Sequence, residues 1–224
     1  MTLFYQAGRG LAQACFTAFG RWEVVGRELA PPRGPLIVVA NHLSYADPPL
    51  LAASLPRPLS FVAKRELFAN PVMGFLLREF GGYPLDRAGM AVDALREMLR
   101  LLAQDHAVVV FPEGHRSPDH TMKEGMAGAA YLAIKSQAPV LPVGITGSEK
   151  IPSWRIPFPL CHFKVNIGQL FTLPTLEGTP SRAVVESIRD MIMFRIAALL
   201  PTEYRGVYAF PARKEHLLRE TPSS

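Results

Sequence analysis

The chain has 224 residues, 49% of them hydrophobic and 19% charged, a balance that suits one domain with a substantial core and excludes a disordered or integral-membrane chain. Lys and Arg number 24 against 19 Asp and Glu, giving a formal net charge of +5, which favours anionic phosphates or anionic lipid surfaces as partners. The basic residues are scattered rather than gathered in a block, so no nucleic-acid partner is expected.

In chain order, Leu3, Phe4, Leu11, Cys15, Phe16 and Phe19 form an apolar face flanked by Arg9 and Arg21. This pattern fits an amphipathic helix that either lies on a membrane surface or packs on the domain. Arg9 interrupts any signal-peptide core, and no run of eighteen apolar residues is found. The expected organisation is an interfacial helix over 1–21, one domain over 22–210 and a polar tail over 211–224. Cys15 and Cys161 lack metal-ligand spacing and read as free, buried apolar residues of a reducing compartment.

Leu36-Ile37-Val38-Val39-Ala40 is short, apolar and bounded by Gly34-Pro35, the pattern of a buried strand. Asn41-His42-Leu43-Ser44-Tyr45-Ala46-Asp47-Pro48 follows, and Pro48-Pro49 suit the first turn of a helix. On one unbroken helix His42 and Asp47 would point about 140° apart. They meet only if His42 precedes the helix and Asp47 opens it, reaching back. Asp47 would then fix the imidazole tautomer while His42 takes a proton from a hydroxyl; the plain alternative is that Asp47 is a helix cap.

A strand is expected near 59–63, then Gly81-Gly82-Tyr83-Pro84-Leu85-Asp86-Arg87, a glycine turn and an extended piece leading to an arginine. Val92, Leu95, Leu99 and Leu102 fall at helical spacing. Ala107-Val108-Val109-Val110 predicts a strand running into Phe111-Pro112-Glu113-Gly114-His115-Arg116-Ser117. There Gly114 permits close approach of a ligand, Arg116 offers a fork that matches phosphate oxygens, and Glu113 is suited to orient that arginine or hold a substrate hydroxyl. A solvated Glu–Arg loop pair is the bland reading. A small-residue helix over 125–136 precedes Pro139-Val140-Leu141-Pro142-Val143, a strand whose prolines point to an edge or a bulge. The proline-rich segment 151–160 carries Trp154 and Phe158, suited to a bilayer interface or the mouth of an acyl tunnel. A strand over 163–169 and a helix marked by Val185, Ile188, Ile192 and Leu199, closed by Pro201, complete the pattern. The fold class is α/β: a single domain with a mixed central sheet flanked by helices, and an N-terminal amphipathic helix.

Four of these segments, in this order, resemble the motifs of the glycerolipid acyltransferases, the 1-acylglycerol-3-phosphate (lysophosphatidic acid) acyltransferase family. Asn41, His42 and Asp47 match Asn-His-x-x-x-x-Asp; Gly81 and Arg87 match the second motif; residues 111–117 match Phe-Pro-Glu-Gly-Thr-Arg-Ser with His115 in place of threonine; Val140 to Val143 match the fourth. The resemblance covers roughly residues 22–150 and also takes in Phe61 to Phe68. It implies acyl transfer from a thioester, acyl-CoA or acyl carrier protein, to a glycerol hydroxyl, without a metal or resident cofactor. It implies His42 as general base and Asp47 as its partner, with Arg87, Glu113, Gly114, His115, Arg116 and Ser117 holding the acceptor. Gly81, Pro142 and Val143 are implied as structural or acyl-pocket residues. The implied partners are a lysophospholipid, an acyl thioester and the membrane surface, at the cytoplasmic face, with acyl carrier protein as one donor option.

Met126 stands where many members carry lysine, with Lys123 one turn earlier. His115 introduces a ring either beside a bound phosphate or pointing to solvent. Backbone N–H groups at the helix start beside His42 are the expected oxyanion donors. Glycerol-3-phosphate or another lysolipid is an alternative acceptor. Rival readings are an idle lipid-binding protein on the same fold and a metal-dependent hydrolase using His42, Asp47, His115 and His120.

Overall fold

The computed structural model describes residues 3–85, 90–152, 155–156, 158–176 and 178–209. Its elements in chain order are α1 (Leu3–Phe19), β1 (Arg21–Val25), β2 (Leu36–Ala40), α2 (Asp47–Ser54), β3 (Leu59–Lys64), α3 (Pro71–Glu79), β4 (Gly82–Leu85), α4 (Met90–Leu102), β5 (Ala107–Val110), α5 (Gly128–Ser136), β6 (Val140–Thr146), β7 (His162–Ile167) and α6 (Arg182–Ala197). The strands form one mixed sheet in the order β1-β7-β6-β2-β5-β3-β4. Five neighbours, β6, β2, β5, β3 and β4, run parallel, and β7 meets β6 antiparallel.

The two-residue period of a strand divides the core into two layers. In β2, Leu36, Val38 and Ala40 point to one face, where Phe16 of α1 and Leu50 and Leu51 of α2 cover them. Ile37 and Val39 point to the other, against Leu101 of α4, Leu132 of α5 and Ile192 and Ile196 of α6. All five residues of β2 are buried, as expected for a central parallel strand covered on both faces.

α1 is docked on the domain: Phe16 is buried against Trp22 and Phe163, the Tyr5 hydroxyl accepts from Leu59 N at 3.2 Å, and Gln13 Nε2 donates to Ala53 O at 2.8 Å. Phe16 therefore leaves the free apolar face expected of it, whereas Leu3, Phe4, Leu11 and Phe19 remain exposed. Phe4 meets Phe75 of α3 edge-on at 5.4 Å. In α3 only Gly74 is buried. Cys15 and Cys161 are free thiols but only half-buried.

Two strands are not read as such from the sequence: β1 is not expected, and β4 is expected only as an extended piece after Gly81. Both lie at sheet edges, and β1 alternates exposed with half-buried residues, so neither carries a fully apolar run. β6 is the converse case. Its prolines suggest an edge, yet it lies between β7 and β2. Pro142 is tolerated because it faces the chain just past the end of β7, where its carbonyl accepts from Gly168 N at 2.9 Å and only a donor is missing. Val92, expected on the core stripe of α4, is exposed; Met98, Leu101 and Leu102 are that helix's buried side chains. The predicted helix over 125–136 starts at Gly128, and Leu199 falls just beyond the end of α6.

Gly81 turns the chain from α3 into β4 with φ of +83°, and its carbonyl accepts from Phe61 N at 2.9 Å. A Cβ at this position would run into the Leu59 carbonyl. Gly81→Ala is expected to destabilise the fold by more than about 1 kcal/mol, because both the positive φ and the backbone contact oppose a side chain. Urea unfolding of the two proteins checks this.

Candidate active site

Parallel strands end on the same side of a sheet, so β6, β2 and β5 deliver their following loops side by side. Past the end of β2, Asn41 joins two of them: its Nδ2 donates to Ile145 O at 2.9 Å and its Oδ1 accepts from Ile145 N at 2.7 Å. This buried side chain carries the β2–β6 pairing one step further, through an amide in place of backbone.

His42 and Asp47 meet as the strand–turn–helix reading requires. Asp47 is the first residue of α2, Pro48 and Pro49 follow, and the His42 Nδ1 lies 2.7 Å from Asp47 Oδ2. The same oxygen accepts from Leu43 N at 2.7 Å and Ser44 N at 2.8 Å, while Oδ1 accepts from the Ser148 hydroxyl at 2.5 Å. Asp47 has no exposed surface and the His42 side chain retains 17%. An ionised carboxylate only accepts, so the neutral ring in this pair has its proton on Nδ1 and its lone pair on Nε2. The ring stacks on Phe111 with centroids 4.0 Å apart and planes at 18°, which fixes its face. Asp47 is no ordinary cap: its bonds run to residues ahead of the helix, not into it.

The loop after β5 lies against this turn. Glu113 is buried, and both carboxylate oxygens serve backbone: Oε1 accepts from His42 N at 3.0 Å and Oε2 from Lys123 N at 3.0 Å. Burial pushes its pKa up, opposed by those two N–H groups. Glu113 thus holds the loop carrying His42, and it is Tyr45, not Glu113, that meets Arg116. Ser117 is likewise buried; its N donates to His42 O at 2.9 Å and its hydroxyl to Asp119 at 2.5 Å. That bond, with Thr121 N, holds the exposed Asp119 carboxyl down to about 2.

Gly114, with φ of +74°, lies exposed beneath the Met126 thioether, which occupies the space a Cβ would need. Met126 N donates to Pro112 O at 2.7 Å. His115 is exposed, its Nδ1 3.2 Å from Arg116 O. Arg116 is exposed as well. Its guanidinium sits 3.7 Å from the Tyr45 ring centroid, and Nη2 donates to the Tyr45 hydroxyl at 3.0 Å. Pro142 and Val143 are buried in β6 behind Asn41. Arg87 and Trp154 lie outside the described residues.

Of the N–H groups expected to serve an oxyanion, five are engaged internally, and Tyr45 N is not among them. His42 N goes to Glu113, Leu43 N and Ser44 N to Asp47, Ala46 N to the Ser44 hydroxyl at 3.2 Å and Asp47 N to Ser44 O at 3.2 Å. Sequence reasoning also missed Ser148 and Phe111 as neighbours of the pair, and Tyr45 as the neighbour of Arg116. Tyr45 stood inside the motif; Ser148, 101 residues from Asp47, had no sequence signal beyond following Gly147. Among the described residues no group of three or more His, Cys, Asp or Glu could hold a metal ion.

A family model described as acyltransferase matches residues 21–146, and the chain belongs to that family. It is 30% identical over 199 residues to a 1-acyl-sn-glycerol-3-phosphate acyltransferase of Chlamydomonas reinhardtii, covering 87% of this chain and 58% of the relative. It is 36% identical over 126 residues to the human 1-acyl-sn-glycerol-3-phosphate acyltransferase alpha, covering 55% of this chain and 44% of that protein. The crystal structure of the 1-acyl-sn-glycerophosphate (LPA) acyltransferase PlsC from Thermotoga maritima superposes with a TM-score of 0.66 at 28% identity, over 84% of this chain and 76% of that one. The chain thus spans only about half the length of these two sequence relatives.

Glu113→Gln tests the clamp. An amide offers one acceptor where two backbone N–H groups need one each, so this change is expected to cost about 1–3 kcal/mol. Denaturant unfolding gives that figure; an unchanged midpoint would show that Glu113 does not hold the two loops together.

Proposed function

We propose that this protein transfers a fatty acyl group from a thioester, acyl-CoA or acyl carrier protein, to the free hydroxyl of 1-acylglycerol-3-phosphate, making phosphatidic acid. The observation that carries the reading is the His42–Asp47 pair, which engages Nδ1 of a partly exposed ring and so makes Nε2 the basic nitrogen whenever the ring is neutral. Nε2 takes the proton of the acceptor hydroxyl as its oxygen attacks the thioester carbonyl. The C–S bond then breaks, and the imidazolium returns the proton to the departing thiolate. Asp47 stabilises the imidazolium meanwhile, held ready by four hydrogen bonds. No acyl-enzyme is required.

The similarity to 1-acylglycerol-3-phosphate acyltransferases supports this acceptor. Arg116, held over the Tyr45 ring and exposed, is suited to its phosphate, with Arg87 as a second contact. An idle lipid-binding protein would have no use for a charged pair set into a buried turn.

The acceptor is a lipid, so the protein is placed at the cytoplasmic membrane surface, peripherally. Among the described residues no helix is long and apolar enough to cross a membrane. Leu3, Phe4 and Leu11 of α1, Val72 and Phe75 of α3, and Phe158 beside Phe19 at 4.8 Å supply exposed apolar surface.

In an assay of purified protein with acyl-CoA and lysophosphatidic acid, wild type should release thiol and form diacyl product. His42→Ala is expected to lower kcat about 10²–10⁴-fold; near-normal release by the folded variant would sink the mechanism. Deleting α1 would remove the buried Phe16 and Tyr5, so membrane attachment is better tested with Leu3→Gln/Leu11→Gln. Co-sedimentation with vesicles containing phosphatidylglycerol should fall for this pair of substitutions, and equal binding would place the contact elsewhere.

A further inference from the structure

We propose that Ser148 is a positioning residue of the His42–Asp47 pair: its hydroxyl, donating to Asp47 Oδ1, sets the plane of the carboxylate so that Oδ2 faces His42 Nδ1. The kinetic part of this inference rests on the acyl-transfer reading above. The terminal torsion of an aspartate is broad, so its backbone does not fix the carboxylate plane. Three donors converge on Oδ2 and hold that atom, but a group held at one oxygen can still turn about it. Ser148 is the donor on Oδ1, at 2.5 Å, and neither residue has any exposed surface. No solvent is at hand to replace it.

The position of Ser148 is built with care from both sides. Gly147, with φ of +80°, turns the chain so tightly against β7 that the His162 carbonyl and Phe163 Cα fill the space of a Cβ. A short 3-10 turn, Ser148–Lys150, follows, closed by Ile151 N donating to Ser148 O at 3.0 Å. The Asn41–Ile145 bonds on one side and the Ser44 hydroxyl to Ile151 O, at 3.4 Å, on the other pin segment 145–151 along segment 41–47. Asp47–Ser148 is the middle of these three connections, and the one that touches the reacting pair.

The test compares Ser148→Ala and Ser148→Cys with wild type, each also combined with Asp47→Asn. Cysteine keeps nearly the volume but is a weak donor. The kcat of acyl transfer should fall about 10- to 100-fold in both single variants, the scale of a small misplacement of a catalytic group, with KM for acyl-CoA and lysophosphatidic acid unchanged. On the Asp47→Asn background neither change should lower kcat further, since the hydroxyl acts only through that carboxylate. Full kcat in Ser148→Cys would reduce Ser148 to a space-filler, and additive losses would give it an independent role; either overturns the proposal. A separate reading comes from proton NMR of the His42 Nδ1–H, assigned by its absence in His42→Gln. That resonance should move or broaden in Ser148→Cys, and a wild-type position overturns the proposal. It does so even if no acyl transfer is found with these substrates, an outcome that would count against the proposed function alone. If Ser148→Ala does not fold, Ser148→Cys carries the comparison.

Discussion

A fully buried carboxylate governs this structure. Removing Asp47 from water is unfavourable by several kcal/mol unless its oxygens are satisfied, and the chain answers with two backbone N–H groups, an imidazole and a hydroxyl. Satisfying it draws the turn 42–44 back over the start of α2 and brings in the 3-10 turn that follows β6. Each donor is itself fixed: His42 by stacking on Phe111 and by the Glu113 contact to its backbone, Ser148 by the tight turn at Gly147. Satisfying this one charge and orienting the imidazole are therefore the same construction.

The second buried carboxylate divides the labour. Asp47 acts on the His42 side chain, whereas Glu113 acts on the backbone that carries it, and the two reach His42 from the segments that follow the neighbouring strands β2 and β5. Arginine is left at the rim, where the exposed Arg116 sits over the Tyr45 ring and donates to its hydroxyl. Around His42 the two acids, Asp47 and Glu113, are buried, and the cation, Arg116, is at the surface.

Much of this was legible in the sequence where the signal was local. Leu36 to Ala40 reads as a strand because all five side chains are apolar, and they are so because helices cover both faces. The His42–Asp47 encounter was legible because Pro48 and Pro49 fix where the helix begins. β1 and β4 were not, since an edge strand needs only one apolar face and tolerates Arg21, Glu23 and Pro84. Pro142 misled for a related reason: a missing donor says only that one bond is absent, and the end of β7 makes it harmless in an interior strand. The backbone role of Glu113 was not legible, because exposed and buried carboxylates are spelled alike and its two N–H partners lie ten and 71 residues away. Ser148 falls two residues beyond the stretch matched by the family model, and only three dimensions bring it to Asp47.

The three cross-connections between 41–47 and 145–151 also bear on how the chain acquires its native form. They close loops of about a hundred residues, among the most non-local contacts of the molecule. Such contacts carry a large loop-closure entropy and tend to form late. Until β6 settles between β2 and β7, Asp47 lacks its hydroxyl partner and Asn41 has nothing to bind. A chain still emerging from the ribosome, or one partly unfolded at this seam, would keep His42 in sequence while lacking an oriented imidazole, so that competence appears only with completed topology.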